Sequence, residues 1–290
     1  MSDRGISSSL RYLFADFIGE DDGAPPFLPE GLPKPVAAVA SEAIHLLIDY
    51  QSAGYAQLYI DRLKRFVGKN GVDEAMLTDI ARLMAARMSY EDPIRIAQLK
   101  LFALADLPGP QARTVDVRKF RLDELVEALP AAIAELPLYV LESAGWAHKN
   151  VSIRFSAASW FGIARLKLEA GLRRWRRYSV RYARERVWVE RWLHMIDRSL
   201  TRQPGAANEI VRTATMIQGY GDVYRQGMAD WNAIIDGLAK PTFDGVLALP
   251  DLAGAVAEAR AAALPDRRQA ALKRKIAEIR ARALAAPNAA

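Results

Sequence analysis

The chain has 290 residues, of which 51% are hydrophobic and none is cysteine, and its formal net charge is +6. A chain of this size can bury a substantial core, so disorder over most of its length is not expected. The lack of cysteine excludes disulfides, thiolate-held iron–sulfur clusters, cysteine-ligated zinc and a cysteine nucleophile. Without an apolar secretory start or a run of about 18 apolar residues, we expect a cytoplasmic protein that does not span a membrane.

A segment near the N-terminus has a composition that does not allow regular secondary structure. Residues 19–35 hold five prolines and three glycines, which is incompatible with a helix or a central strand. A short apolar stretch precedes them and is interpreted as an anchoring helix. We therefore predict an N-terminal arm and linker over 1–36, a helical domain over 37–245, and a C-terminal helical extension over 246–290. The part of this extension from Pro265 is expected to be an exposed helix with a frayed tail.

Helical periodicity starts near residue 37. Apolar side chains recur at spacings of three and four from Ile44 to Phe66, which predicts one amphipathic face. Gln51 and Arg62 lie within this face, so both are expected to be buried with hydrogen-bonding partners.

Two further helices follow. The pattern predicts one helix over about 74–88. Another is predicted to start with Asp92 as its N-cap and Pro93 as its first helical residue, because a short polar side chain accepts from free N–H groups and proline lacks one.

Two short segments have strand character. Residues 114–117 are rich in β-branched side chains, and residues 151–155 alternate between apolar and polar. We predict a mainly α fold: a multi-helix bundle carrying a small β-sheet of two or three strands.

The longest pattern in the chain runs from Phe161 to Ile196. Apolar residues keep a strict spacing of three and four, which predicts one very long helix over about 157–201 with Trp175 and Trp192 in the core. Glu185 lies on the same face. We expect it to form an internal ion pair, the alternative being contact with a ligand.

The same region holds the positive charge of the chain. Residues 171–198 contain nine arginines and three acidic residues, whereas the remainder is balanced. This segment is interpreted either as a solvated helix face or as a surface for an acidic protein or a phosphate-bearing ligand. Nucleic acid is disfavoured because the nearby tryptophans are explained as core residues. The candidate binding residues are Arg173, Arg174, Arg176, Arg177, Arg181 and Arg184.

A glycine-containing turn interrupts the next helical stretch. Two glycines separated by one residue permit a tight turn, and the aspartate after them can cap the following helix. The turn is either a packing corner or an anion site formed by the free N–H groups of that helix. Its candidate residues are Gly219, Tyr220, Gly221 and Asp222.

No catalytic or metal-binding motif is present. The three histidines lack a second ligand at a recognised spacing. There is no nucleophile elbow, phosphate-binding loop or dinucleotide fingerprint. We predict no catalytic residue, no metal site and no cofactor in this chain, so an independent enzyme is the least expected function.

Four segments in order resemble a known family. They are Asp49-Tyr50-Gln51 with Tyr55 to Leu63, Arg87 to Asp92 with Arg95 to Lys100, Leu172 to Arg177, and Gly219 to Asp222 with Arg225 to Gly227. Together they resemble the helical region that follows the gamma-type domain in the beta subunit of indolepyruvate:ferredoxin oxidoreductase. The chain departs from that family at Gln218 and at Val223-Tyr224, where the family has lysine and Thr-His.

The resemblance implies an accessory or structural subunit without a complete active site. The assembly would oxidatively decarboxylate aryl pyruvates to acyl-CoA, and its thiamine diphosphate and iron–sulfur clusters would lie in partner subunits. The implied partners are alpha and gamma-type subunits of a 2-oxoacid oxidoreductase and ferredoxin. The alternative is a stand-alone anion- or CoA-binding module that uses the arginine cluster 173–191.

Overall fold

A computed structural model describes residues 26–106, 115–263, 266 and 268–285. The protein is mainly α-helical with a small β-sheet, as the sequence predicts. None of the helices in these ranges is long and apolar enough to cross a bilayer. In chain order the α-helices and strands are α1 (Lys34–Tyr50), α2 (Ala53–Lys64), α3 (Glu74–Met88), α4 (Pro93–Asp106), β1 (Val115–Arg121), α5 (Leu122–Glu127), α6 (Ala131–Ser143), β2 (Asn150–Ser156), α7 (Trp160–Gly171), α8 (Val180–Arg202), α9 (Ala207–Arg212), α10 (Gly221–Ile234), α11 (Lys240–Phe243), α12 (Leu252–Ala261) and α13 (Ala270–Ala285).

The described residues belong to two compact units. Unit 1 takes those within Met1–Lys64 and Met88–Ala183, and unit 2 takes those within Arg65–Arg87 and Arg184–Ala290. The apolar stretch predicted to anchor the N-terminus lies outside the described residues.

The sheet of unit 1 has two antiparallel strands, β1 and β2, with Val117 opposite Arg154 and Phe120 opposite Val151. Phe120 and Phe155 are buried, with ring centroids 6.3 Å apart, and fix one face of the sheet against the helices. Side chains alternate along a strand, so Val117 points to the other face, where it is exposed. Both predicted strands are confirmed over the residues described.

The first predicted amphipathic stretch is two helices. α1 ends at Tyr50, and α2 begins after Ser52, whose hydroxyl accepts from the Tyr55 N–H at 3.2 Å and caps the new helix. Gln51 is buried at this break, as the sequence predicts, and Arg62 is buried on α2.

The next helices agree with prediction. α3 spans Glu74–Met88. α4 begins at Pro93, and Asp92 is its N-cap, because the Arg95 N–H donates to the Asp92 Oδ1 at 2.6 Å.

The prediction of one very long helix is wrong. α7 ends at Gly171, a 3₁₀ helix covers Leu172–Tyr178, and α8 begins after Ser179, whose backbone is extended. The Ser179 hydroxyl donates to the Arg176 carbonyl at 2.7 Å and accepts from the Tyr182 N–H at 3.1 Å. This side chain therefore ends the 3₁₀ helix and starts α8.

The apolar stripe is also buried over only part of its length. Trp192 is buried as predicted, but Phe161, Leu168 and Trp175 are exposed, so the prediction that Trp175 is a core residue is wrong. The pattern identifies an apolar face, and among the described residues only its second half is buried.

The core of unit 2 is built on three tryptophans. Trp188 stacks on Trp192 at a centroid distance of 6.0 Å and meets Trp231 edge-on at 5.2 Å. The indole N–H of Trp192 donates to the Ile210 carbonyl, and that of Trp231 to the Thr213 hydroxyl. These bonds satisfy the indole nitrogens of Trp192 and Trp231, whereas the buried indole nitrogen of Trp188 has no hydrogen-bond partner among the described residues.

The predicted C-terminal extension contributes to unit 2. α13 buries Leu272, Ile276 and Ile279, so this helix packs on the unit and the expectation of an exposed helix is wrong. The last five residues, predicted to fray, lie outside the described part of the chain.

Gly227 on α10 is a position where a side chain does not fit. A Cβ atom there would lie 2.3 Å from the Met216 carbonyl oxygen. We expect Gly227→Ala to lower the free energy of unfolding by about 1–3 kcal/mol, because the backbone has to shift to admit the methyl group. Urea denaturation measures the effect.

Gly205 provides the control for this prediction. Apart from Gly205 itself and its two neighbours in sequence, no heavy atom of the described residues lies within 4 Å of the place a Cβ would occupy there. Gly205→Ala should therefore leave the urea midpoint unchanged or raise it slightly. Equal midpoints for the two alanine variants would show that the close approach at Gly227 is unimportant.

Candidate functional site

The six candidate arginines differ in burial. Arg176 and Arg181 are buried, Arg184 is exposed, and Arg173, Arg174 and Arg177 are partly exposed. A solvated arginine face is therefore a wrong interpretation for Arg176 and Arg181, whose guanidinium groups pair with carboxylates inside unit 1. The remaining arginines stay candidates for binding a partner.

Arg176 is the centre of a buried polar group that we call the Arg176 cluster, formed by Tyr50, Asp92, Arg95, Gln98 and Arg176. Its Nε and Nη2 atoms donate to the two oxygens of Asp92 at 2.7 and 2.9 Å, a bidentate pair. Its Nη1 donates to the Tyr50 carbonyl at 2.5 Å. The 3₁₀ helix is thus tied to the end of α1 and the start of α4 by one side chain.

The electrostatics keep this pair charged. Burial lowers the pKa of Arg176, but the charge and hydrogen bonds of Asp92, together with Tyr50 and Tyr90, outweigh burial, so the pKa lies above its ordinary value. The guanidinium carbon lies 3.8 Å from the centroid of the Tyr50 ring, a cation–π contact. Burial raises the pKa of Tyr50 well above its ordinary value. The tyrosine is therefore neutral at physiological pH.

Arg95 and Gln98 complete the Arg176 cluster from α4. The Gln98 amide donates to the Asp49 carbonyl at 2.8 Å, and the Arg95 guanidinium lies 5.8 Å from the centroid of the Tyr50 ring. Burial lowers the pKa of Arg95. Tyr50, Arg95 and Gln98 each keep one buried polar atom without a hydrogen-bond partner among the described residues, so the cluster is incompletely satisfied.

A small cavity adjoins the cluster. It is lined by residues that include Asp92, Glu124, Arg176 and Arg181. Its volume of about 10 Å³ is the room of roughly one water molecule. An organic anion such as CoA does not fit in this cavity.

Unit 2 contains a second buried ion pair, between Arg87 and Glu185. We call this pair and the neighbouring rings of Trp188 and Tyr224 the Arg87 cluster. The Arg87 Nη2 donates to the Glu185 Oε2 at 2.6 Å, and Nη1 donates to the Ile217 carbonyl at 3.0 Å. The guanidinium carbon also lies 5.3 Å from the Trp188 ring centroid and 5.8 Å from that of Tyr224. The predicted internal ion pair of Glu185 is thereby confirmed, and its partner comes from α3.

The glycine turn lies in unit 2, whereas the arginines from 173 to 181 lie in unit 1. Gly219 and Gly221 have φ angles of +63° and +64°, which favour glycine, so the predicted tight turn is confirmed. α10 begins at Gly221, which makes Asp222 a first-turn residue and the prediction of Asp222 as the cap wrong. Its carboxylate places negative charge at this helix end and opposes binding of an anion there.

The sequence predicts Asp92 only as a helix cap and does not identify Arg87. Both lie in segments that carry the family resemblance, and the resemblance was the one signal that could have identified them as members of the buried clusters. In the structure these segments supply both sides of the Arg176 cluster. They supply Arg87 to the Arg87 cluster, whose carboxylate partner Glu185 lies outside them. The described part of the chain holds no group of three or more metal-ligating side chains close together.

Comparison with known proteins identifies a family for this chain but no individual relative. No curated protein and no solved structure matches the chain. Residues 36–237, more than two thirds of the sequence, match a family of unknown function, DUF6537, and this range includes both buried clusters and the glycine turn. The chain therefore belongs to the family of unknown function DUF6537.

Proposed function

We propose that this chain is a helical accessory subunit, or a separately encoded C-terminal portion, of a cytoplasmic indolepyruvate-type 2-oxoacid:ferredoxin oxidoreductase. Oxidative decarboxylation of the aryl pyruvate would take place in its partners, which would hold the thiamine diphosphate and iron–sulfur clusters. The role of this chain is to bind those subunits.

One observation carries the proposal: the 3₁₀ helix Leu172–Tyr178 presents arginine and tryptophan at the surface from a rigid base. Arg176, with 1% of its surface exposed, holds this 3₁₀ helix in place through its buried hydrogen bond to Asp92. Arg173, Arg174 and Trp175 keep part of their side chains in solvent. Arginine and tryptophan are enriched at the energetically dominant positions of protein interfaces, and a turn held in place loses little entropy on binding.

The charge of this turn defines its partner. Besides Arg176, whose charge is buried and paired with Asp92, three of its seven residues are arginines and none is acidic. An acidic surface on a gamma-type subunit, an alpha subunit or ferredoxin would complement it, and such complementarity speeds association.

Co-purification tests the proposal. Tagged full-length chain should recover alpha or gamma-type subunits at about 50 mM salt and lose most of them at about 300 mM, because added salt screens exposed charges. Arg173→Glu combined with Arg174→Glu should weaken recovery at least tenfold while the melting temperature stays unchanged.

Arg202→Glu is the matched control, since Arg202 is exposed on unit 2 and has no ion pair among the described residues. It should leave recovery intact. Failure to recover any of these subunits at low salt would overturn the proposal. A thermal shift with CoA that disappears in the Arg173 and Arg174 double variant would favour the alternative, an anion-binding module.

A further inference from the structure

Helix α6 of unit 1 leaves an apolar face in solvent. Of its thirteen residues, Ala134 is the only buried one. Leu136 and Tyr139 are 72% and 68% exposed, and Ile133 and Val140 are exposed beside them. Spacings of three and four place these four side chains on one face of the helix. Exposing such an apolar face to water is unfavourable in free energy, and a partner surface that covers the face would remove this penalty.

Helix α7 of the same unit has a second uncovered face. Leu166 is its buried residue, whereas Trp160 and Leu168 are 80% and 70% exposed. Phe161 is exposed and lies one residue after Trp160, with the two rings in edge-on contact at 6.1 Å. Phe161 and Leu168 belong to the first half of the apolar stripe in the sequence. The second half of that stripe includes Val189 and Trp192, which are buried in unit 2.

The two faces carry opposite charges. The charged residues of α6 are Glu135 and Glu142, both exposed and without an ion pair among the described residues. On α7, Arg165 pairs with Glu169 at 2.7 Å, which leaves the exposed Lys167 as the net charge of that helix. An apolar stripe with acidic flanks is thus matched, within one chain, by an apolar stripe with a basic flank.

We propose that this protein associates with a second copy of itself by packing α6 of one copy against α7 of the other. In a twofold dimer the same contact forms twice, so both faces of both copies become covered. A stable interface buries roughly 800 Å² on each partner, and two helix contacts supply this more readily than one. The self-association uses neither the arginine turn nor any second protein, so it is independent of the proposed function.

Charge exchange tests the pairing. The full-length chain should behave as a dimer in analytical ultracentrifugation at micromolar concentration. Glu135→Lys with Glu142→Lys makes both faces basic, and Lys167→Glu makes both faces acidic. Each variant alone should dimerise at least tenfold more weakly, because like charges then face each other.

Mixing the two variants should restore the dimer. In the mixture every α6 face meets an α7 face of opposite charge, in both contacts of the twofold pair. Lys273→Glu, an exposed charge reversal on unit 2, is the control and should dimerise normally. Unchanged circular dichroism spectra for all variants show that the fold is intact.

A monomeric chain at every concentration would overturn the proposal. So would a dimer that persists in both single-face variants, or a mixture that stays monomeric. If Leu168→Asp abolishes recovery of another protein while the wild-type chain is monomeric, the α7 face serves a different partner and the proposal is wrong.

Discussion

Arg176→Ala is expected to lower the free energy of unfolding by about 3–5 kcal/mol, the usual effect of removing one partner from a buried ion pair. The large effect follows from what remains behind. The Asp92 carboxylate would lose two short hydrogen bonds and stay in a buried site. The Tyr50 carbonyl would lose the 2.5 Å bond from Arg176 and keep the long 3.4 Å bond from the Gln98 amide. Urea denaturation followed by circular dichroism measures the loss, and hydrogen exchange at the start of α4 locates it.

Arg173→Ala is the matched control on the same 3₁₀ helix. Arg173 is partly exposed, and its contact with the chain is a long hydrogen bond of 3.3 Å to the Asp49 carbonyl. Its removal should cost less than about 1 kcal/mol. Similar losses for the two alanine variants would contradict the assignment of Arg176 as the anchor of the turn.

Neutralising the carboxylate separates charge from capping. Asparagine at position 92 still caps α4, because asparagine is as good an N-cap as aspartate. Asp92→Asn should nevertheless destabilise strongly, since it leaves the Arg176 charge buried without a counter-charge. The double variant with Arg176→Met should be more stable than the sum of the single effects predicts.

The second large effect is expected in unit 2, at the Arg87 cluster. Glu185→Gln should lower the free energy of unfolding by about 3–5 kcal/mol, because the Arg87 guanidinium would remain buried between two aromatic rings without a carboxylate. Arg87→Met should cost about as much. Combining Arg87→Met with Glu185→Leu should recover part of the loss, since an apolar pair has no unpaired charge.

Arg65 provides the comparison for this pair. It bonds Glu190 at 2.8 Å and Asp197 at 3.0 Å, and its side chain is 36% exposed. Burial lowers the pKa of Arg65, but the hydrogen bonds and negative charges of these two carboxylates together outweigh burial and raise the pKa. Water and salt screen this group, so Arg65→Met should cost no more than about 1 kcal/mol. Equal losses for Arg65 and Arg87 variants would mean that burial does not set the strength of these pairs.

Local features of this protein could be predicted from its sequence. The range of α3, the cap of α4 at Asp92, the tight turn at Gly219 and the two strands follow from signals that span a few residues. Periodicity, a capping side chain and a pair of glycines act over one or two turns of chain, so they need no knowledge of the tertiary fold. The predicted ion pair of Glu185 rests on the same logic, because a carboxylate in an apolar face requires a partner.

Only the tertiary structure decided which residue pairs with each buried charge and which half of the apolar stripe is buried. Asp92 and Arg176 are 84 residues apart and Arg87 and Glu185 are 98 apart, so neither pairing has a local signal. The 3₁₀ helix kept the spacing of three and four, which concealed the break between α7 and α8. An apolar face has the same pattern in sequence whether it is buried or exposed. Leu168 and Trp192 lie on the same stripe, but Leu168 is exposed and Trp192 is buried.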